Sequence, residues 1–246
     1  MSFLPETEKP EALASLAVFK QHFGFIPRVF RAQAALPDLL ESQAKLIETL
    51  LFAKGSLTRV QKEFILLAVS GANRNIYFPA VHSNTLQFLG VKPEISHQVT
   101  VDHHLANLSD QDIALLDFAR QLAQQAHAFS ADDVERLRAH GFSDEQILEA
   151  VLMVGLTNML NVIQSGLGSE PDFKPRSVVQ QKEVNPATES ERPMLELPLA
   201  EESVSADPDA EFVARVKAGE SDAFRRIGET TWAQSLPKLD WNSRQC

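Results

Sequence analysis

Residues 63–82 of the chain read EFILLAVSGANRNIYFPAVH, and this stretch decides the fold. From Phe64 to Val69 it is continuously apolar, which predicts a helix that is buried on most sides. Thr58 and Gln61, just before the stretch, have the spacing of a capping box and mark the start of this helix. A capped, apolar helix of this kind is expected at the centre of a helical bundle.

The second half of the stretch predicts a corner and another helix. The sequence GANRN at residues 71–75 is typical of a turn between helices. Asn75 is a suitable N-cap, and Pro79 is tolerated in the first turns of the helix that follows. The predicted arrangement is therefore two helices folded back on each other.

Glu63 and His82 lie on these two helices, and antiparallel packing is expected to bring them within hydrogen-bond reach, directly or through one water. Each also has a purely structural interpretation. An acid near a helix start is favourable with the helix dipole, and a histidine among apolar neighbours is commonly a hydrogen-bonded core residue. A role in a pocket and a role in the core both stay open.

Helical periodicity and N-terminal caps recur from residue 10 to about residue 168. Ser109, Ser130 and Ser143 each stand three residues before an Asp or Gln that would complete a cap. The last segment, residues 144–168, is long and largely apolar, and is expected in the core or at a subunit interface. The chain is therefore predicted to be all-α.

The charge of the chain narrows its possible partners. The net charge is −10 and the isoelectric point is about 5.2, which disfavours nucleic acid and an anionic membrane surface as partners. No run approaches 18 uninterrupted apolar residues, and the acidic, proline-containing N-terminus is unlike a signal peptide. A cytoplasmic protein is expected.

The single cysteine, Cys246, is the last residue. One cysteine excludes an intramolecular disulfide, a CxxC redox centre and a zinc site with several cysteines.

The composition divides the chain at about residue 172. From Glu183 to Glu211 there are nine acids against one base, Arg192, with four prolines between them. Residues 173–210 are therefore predicted to be a disordered acidic linker. Residues 211–246 are predicted to form a short helical tail that could bind a protein partner.

Residues 63–82 resemble the carboxymuconolactone decarboxylase / alkylhydroperoxidase D family, in its peroxidase-related branch. In that family a helical acid is followed by C-x-x-C-x-x-x-H at the start of the next helix. Glu63 and His82 match the acid and the histidine, whereas Asn75 and Phe78 occupy the two cysteine positions. The resemblance extends over about residues 12 to 172.

The resemblance implies an alkylhydroperoxidase D-like helical bundle over residues 1–172, assembled as a dimer, trimer or hexamer. It also implies that Glu63 and His82 are a catalytic proton-transfer pair, without a cofactor. The other implied pocket residues are Asn75, Tyr77, Phe78 and Arg74, with Tyr77 or Arg74 steadying an anionic substrate.

Three functions follow as alternatives. The first is a thiol-independent acid/base enzyme acting on a small molecule, in the manner of the family's decarboxylases. The second is a catalytically silent scaffold or regulatory protein that acts through its tail. The third is a family-type peroxidase, which the chemistry disfavours because Asn75 and Phe78 cannot form a sulfenic acid or a disulfide.

His103 and His104 are adjacent in the sequence, with Asp102 and His97 nearby. The i, i+4 spacing of helical metal ligands is absent, as are paired cysteines. The sequence therefore predicts a solvated loop here and no metal.

Overall fold

The computed structural model describes residues 2–7 and 14–172. Within these ranges the chain forms nine α-helices and no β-strand, so the predicted all-α architecture is confirmed. The predicted linker at 173–210 and the tail at 211–246 lie outside the described residues. The helices are α1 (Ala17–Phe23), α2 (Arg28–Arg31), α3 (Pro37–Ile47), α4 (Arg59–Ala72), α5 (Tyr77–Phe88), α6 (Pro93–Asp102), α7 (Asp110–Gln125), α8 (Ala131–Ala139) and α9 (Asp144–Leu167).

Helix α4 lies at the centre of the bundle and packs against α5, α6, α7 and α9. It begins at Thr58 with the predicted capping box, in which the Gln61 amide donates to the Thr58 hydroxyl at 3.2 Å. At Gly71 a Cβ atom would lie 1.9 Å from the carbonyl oxygen of Thr100. Glycine at this position therefore allows α6 to approach α4 closely.

A buried ion pair fixes the start of α4 to its surroundings. Lys62 donates from Nζ to Glu149 at 2.8 Å and to the carbonyls of Leu50 and Ala53 at 2.9 and 3.0 Å. Both carbonyls lie at the end of the π-helix Glu48–Phe52, which continues α3. Because three oxygens surround the ammonium group, its burial is compensated.

Helix α6 was not expected from the sequence, which predicted a solvated loop around His103 and His104. The structure contains an α-helix up to Asp102 and a 3₁₀ turn at His103–Leu105. His103 is buried, at 2% exposure, while His104 is exposed. Pro93 at the first helical position was the available signal for this helix.

Helix α9 is buried on one side only. Ile147, Val154 and Leu160 belong to the core, whereas an apolar row on the other side is exposed. This exposed row consists of Leu148, Leu152, Gly155, Met159 and Val162, with Met159 only partly buried. By length and composition alone α9 is apolar enough to cross a membrane, but a single helix of this kind is weak evidence, because core helices of soluble proteins pass the same test.

Candidate active site

Glu63 and His82 are in direct contact in the interior of the bundle. Oε2 of Glu63 lies 2.6 Å from Nδ1 of His82, and both side chains are buried. The corner at residues 71–75 turns the chain so that α5 runs back along α4, as the sequence predicts. The predicted contact is therefore present, whereas the catalytic role of the pair stays a prediction.

Arg59 is a third member of this cluster that the sequence analysis did not single out. Its Nε and Nη2 atoms lie 2.8 and 2.7 Å from Oε1 of Glu63, and its guanidinium carbon lies 5.1 Å from the centre of the Phe52 ring. Arg59 and Glu63 are four residues apart on α4, a spacing that places side chains on the same helix face. That spacing was the signal that would have identified the pair.

The charge balance of the cluster favours an ionised Glu63. Burial by itself would raise the pKa of the Glu63 carboxyl. The charges of His82 and Arg59, together with their hydrogen bonds, outweigh burial and hold the pKa of Glu63 below its ordinary value. The carboxylate can therefore orient the His82 ring by holding its Nδ1 atom.

Asn75 serves a structural purpose at the corner. Its Oδ1 accepts hydrogen bonds from the backbone amides of Tyr77 and Phe78 at 3.0 and 3.1 Å, so it caps the start of α5. Its Nδ2 donates to Gln164 of α9 at 2.7 Å. The position that holds the first cysteine of the family motif is therefore occupied by a capping amide.

Phe78 and His82 line a small apolar cavity between α5 and the N-terminal helices. Tyr77 is on the same wall, and the remaining lining side chains belong mainly to α1, α2 and the end of α3. The enclosed space is ≈ 20 Å³, about enough for one water molecule. The Phe78 ring forms part of the wall of this space. The other lining residues are Phe19, Phe23, Pro27, Val29, Phe30, Ile47, Leu51, Val81 and Leu160.

Tyr77 is anchored by Asp172, which the sequence analysis missed. The Tyr77 hydroxyl donates to Oδ2 of Asp172, whose Oδ1 accepts from the Arg28 amide at 2.9 Å. Burial raises the pKa of Asp172 to about 6. Burial and the neighbouring Asp172 carboxylate also raise the pKa of Tyr77 well above its ordinary range. Since 95 residues separate the partners, no local pattern could have revealed them.

Arg74 lies at the surface and does not line the cavity, so its expected role in steadying an anionic substrate stays a prediction. Its side chain is exposed, and its backbone has a positive φ of 55°, which forms the turn before Asn75. Neither Arg74 nor Asn75 is among the residues that line the cavity. Of the six predicted site residues, the structure joins five through direct contacts and leaves Arg74 apart. The five are Glu63, Asn75, Tyr77, Phe78 and His82.

Solved structures share this arrangement of helices. A peroxidase-related protein with an alkylhydroperoxidase D core from Ralstonia eutropha JMP134 is 28% identical, with a TM-score of 0.65, and the match covers 70% of this chain and 92% of that one. The chain has an alkylhydroperoxidase D-like fold.

Two further structures resemble this alkylhydroperoxidase D-like protein. A peroxidase-related protein from Silicibacter sp. TM1040 is 24% identical, with a TM-score of 0.63, and the match covers 69% of this chain and 90% of that one. A debrominase in complex with 2,3,4-tribromopyrrole is 16% identical, with a TM-score of 0.61 and coverages of 69% and 91%. Neither a protein-family model nor a curated protein sequence matches the chain.

Proposed function

We propose that this alkylhydroperoxidase D-like protein is a thiol-independent acid/base enzyme that acts on a small molecule through Glu63 and His82. The observation that carries the proposal is the 2.6 Å contact between the buried Glu63 carboxylate and His82. His82 also lines the cavity. A buried carboxylate–imidazole pair beside an enclosed space is the arrangement that general acid/base catalysis requires.

In this function, His82 transfers the proton and Glu63 positions it. With Nδ1 held by Glu63, the other ring nitrogen, Nε2, exchanges a proton with the substrate. Arg59 neutralises Glu63 from the opposite side, because it contacts the other carboxylate oxygen. The Glu63 carboxylate therefore keeps a counter-charge on Arg59 when His82 has given its proton to the substrate.

The cavity lining indicates the class of substrate. Apart from His82 and Tyr77, the lining side chains are apolar, and the Tyr77 hydroxyl is already bonded to Asp172. A small, mostly apolar molecule with one ionisable or carbonyl group fits this chemistry. Because the enclosed space is ≈ 20 Å³, Phe78 must move aside when substrate enters.

A carboxylated unsaturated lactone provides a direct test, with CO₂ release as the signal. Such a substrate loses its carboxylate as CO₂, and His82 would supply the proton that replaces it. The wild-type protein should accelerate CO₂ release, and His82→Gln should reduce the rate by about 10²- to 10⁴-fold. Glu63→Gln should also reduce it, whereas Cys246→Ser should retain the full rate. Turnover that survives His82→Gln would contradict the proposal.

The second candidate is a catalytically silent scaffold, which the small volume of the cavity favours. In that case Phe78 would keep the cavity beside His82 closed to ligands. The Arg59–Glu63–His82 cluster would then only hold α4 against α5. The same assay separates the two, because a scaffold gives no turnover in the wild type or after Phe78→Ala. A regulatory role through the tail would then be tested by partner binding to residues 211–246.

A further inference from the structure

A second cluster of ionisable side chains lies at the end of α6, where the chain passes towards α7. Nε2 of His103 and Nε2 of His104 each lie 3.0 Å from the same oxygen of Asp117, Oδ1. The two rings are neighbours, with centroids 4.3 Å apart and planes inclined by 33°. Two imidazole nitrogens therefore approach the same carboxylate oxygen.

The local backbone builds this convergence. The Asp102 carboxylate accepts a hydrogen bond from the His104 amide at 3.1 Å and so caps the 3₁₀ turn that carries both histidines. A carboxylate oxygen of Asp102 also lies within 4.8 Å of ligand nitrogens of the two histidines. Asp117 reaches the cluster from the middle of α7. The donors thus come from two separate elements.

The cluster is anchored inside and open outside. His103 is only 2% exposed, so its ring is held by packing. The side chains of His104 and Asp117 are more than half exposed. A ligand held by packing and a route from solvent are both compatible with a metal site. The exposed side would leave a coordination position to water.

The distances suit a first-row divalent cation. Zinc binds imidazole nitrogen at about 2.0–2.1 Å and carboxylate oxygen at about 2.0–2.2 Å, so ligands at the corners of a tetrahedron lie roughly 3.3 Å apart. The nitrogen–oxygen separations of 3.0 Å are close to this value. Imidazole ligands favour zinc-like ions over calcium and magnesium, which take oxygen ligands.

We propose that His103, His104 and Asp117 form a binding site for Zn²⁺ that joins the end of α6 to α7. The ion takes Nε2 of each histidine and an Asp117 oxygen, while Asp102 supports the turn and is available as a fourth ligand. On binding, each Nε2 atom gives up its proton, which moves to Nδ1 of the same ring or to solvent. The site uses none of the residues in the Arg59–Glu63–His82 cluster and does not depend on the function proposed for them.

The test is Zn²⁺ titration of the full-length, tag-free protein by calorimetry after treatment with a chelator. Every protein carries Cys246→Ser, so that no thiol contributes to binding. His104→Gln and Asp117→Asn are the informative variants, because both side chains are exposed and their loss should leave the fold intact. His127→Gln is the matched control, since His127 is also exposed but lies outside the cluster.

The background protein and its His127→Gln variant should bind Zn²⁺ equally. His104→Gln and Asp117→Asn should each weaken binding by at least ~10-fold. Zn²⁺ should raise the melting temperature of the background protein but not that of a variant carrying both His104→Gln and Asp117→Asn. Co²⁺ should give the visible absorption of a low-coordinate site only when both residues are present.

Equal Zn²⁺ binding in all variants would place the ion elsewhere, for example on the acidic region after residue 172, and would overturn the proposal. Absence of binding in the background protein would also overturn it. His103, His104 and Asp117 would then be a hydrogen-bonded cluster only.

Discussion

Phe78 lies against His82 with ring centroids 6.0 Å apart and planes inclined by 27°. The ring therefore covers the histidine on the side of the cavity that both residues line. In the resemblance described above, this is the position of the second cysteine. Replacing a small thiol by a phenyl ring changes the space beside His82 as well as the chemistry.

Removing the Phe78 ring should open the cavity. Phe78→Ala is expected to lower the unfolding free energy by about 3–5 kcal/mol and to create binding space for a small aromatic molecule such as indole. Thermal unfolding with and without indole measures both effects. Phe118→Ala is the control, because Phe118 is equally buried but does not line this cavity. Equal stabilisation of both variants by indole would show that the ligand does not occupy the Phe78 site.

The wild-type protein should not reduce alkyl hydroperoxides with a dithiol reductant. The chain has no cysteine other than Cys246, so the two-thiol cycle has no intramolecular partner. Hydroperoxide consumption by the wild type and Cys246→Ser should match the protein-free rate. Turnover above that rate in both proteins would require a different peroxide chemistry.

Restoring the two cysteines should create peroxide reactivity if Glu63 and His82 still relay protons. The variant carries both Asn75→Cys and Phe78→Cys. Loss of the Asn75 cap should lower its unfolding free energy by about 1 kcal/mol. The same double variant carrying His82→Gln should be slower. A double variant that folds but reacts no faster than wild type would show that the proton relay alone is insufficient.

Glu63→Gln should destabilise the protein strongly at pH 7. Breaking a buried ion pair from one side costs about 3–5 kcal/mol, because Arg59 and His82 both lose the charge of the Glu63 carboxylate. The folded pKa of Glu63 is depressed, so its stabilising effect is complete above the ordinary value of 4.5 and is lost as pH falls through the folded pKa. The difference in unfolding free energy between the wild type and Glu63→Gln should therefore become smaller in acid. Chemical denaturation at several pH values measures this, and exposed Glu41→Gln should show no such narrowing.

The contribution of Asp172 to stability should change with pH in the opposite direction to that of Glu63. Its folded pKa is raised to about 6 from 3.8, so the folded state binds the extra proton and stability is lost as pH rises through this range. Asp172→Asn should remove this pH-dependent loss of stability. The loss is at most about 3 kcal/mol, and solvent screening of the carboxyl makes it smaller. The wild type should lose stability relative to this variant between pH 4 and 7. Exposed Asp38→Asn is the control, and a parallel pH profile for wild type and Asp172→Asn would contradict the assignment.

The exposed apolar row on α9 should mediate self-association. Leu148, Leu152, Gly155, Met159 and Val162 are spaced alternately by four and three residues, the pattern of a helix–helix seam. A homo-oligomer is expected in sedimentation velocity, and Leu152→Glu should dissociate it. Leu39→Glu, at an exposed leucine on α3, should leave the mass unchanged. A monomeric wild type would contradict the expected assembly.

The sequence predicted the parts of the structure that depend on neighbours along the chain. The capping box at Thr58, the corner at residues 71–75 and the Glu63–His82 contact all follow from local patterns on two consecutive helices. Arg59 was also accessible in principle, since it lies one helical turn before Glu63. Helix α6 was missed because PEISHQVTVD shows weak apolar periodicity, although Pro93 is a helix-start residue.

The remaining site residues depend on tertiary contacts and could not be predicted from spacing. Asp172 meets Tyr77 only because the end of α9 returns to the start of α2 and α5. Asp117 meets His103 and His104 only because α7 runs beside the end of α6. Arg74 itself has a left-handed backbone conformation, and its side chain is exposed. The residue type alone does not predict this conformation.

Lys62 offers a chemical reporter of unfolding. Its amine is enclosed by Glu149 and two carbonyls, whereas the other lysines of the described part, Lys20, Lys45, Lys54 and Lys92, are exposed. An amine-acylating reagent should therefore modify those four quickly and Lys62 only when α4 separates from α9. The rate of mass gain on the peptide containing Lys62 would then time the opening of the central helix, without any introduced label.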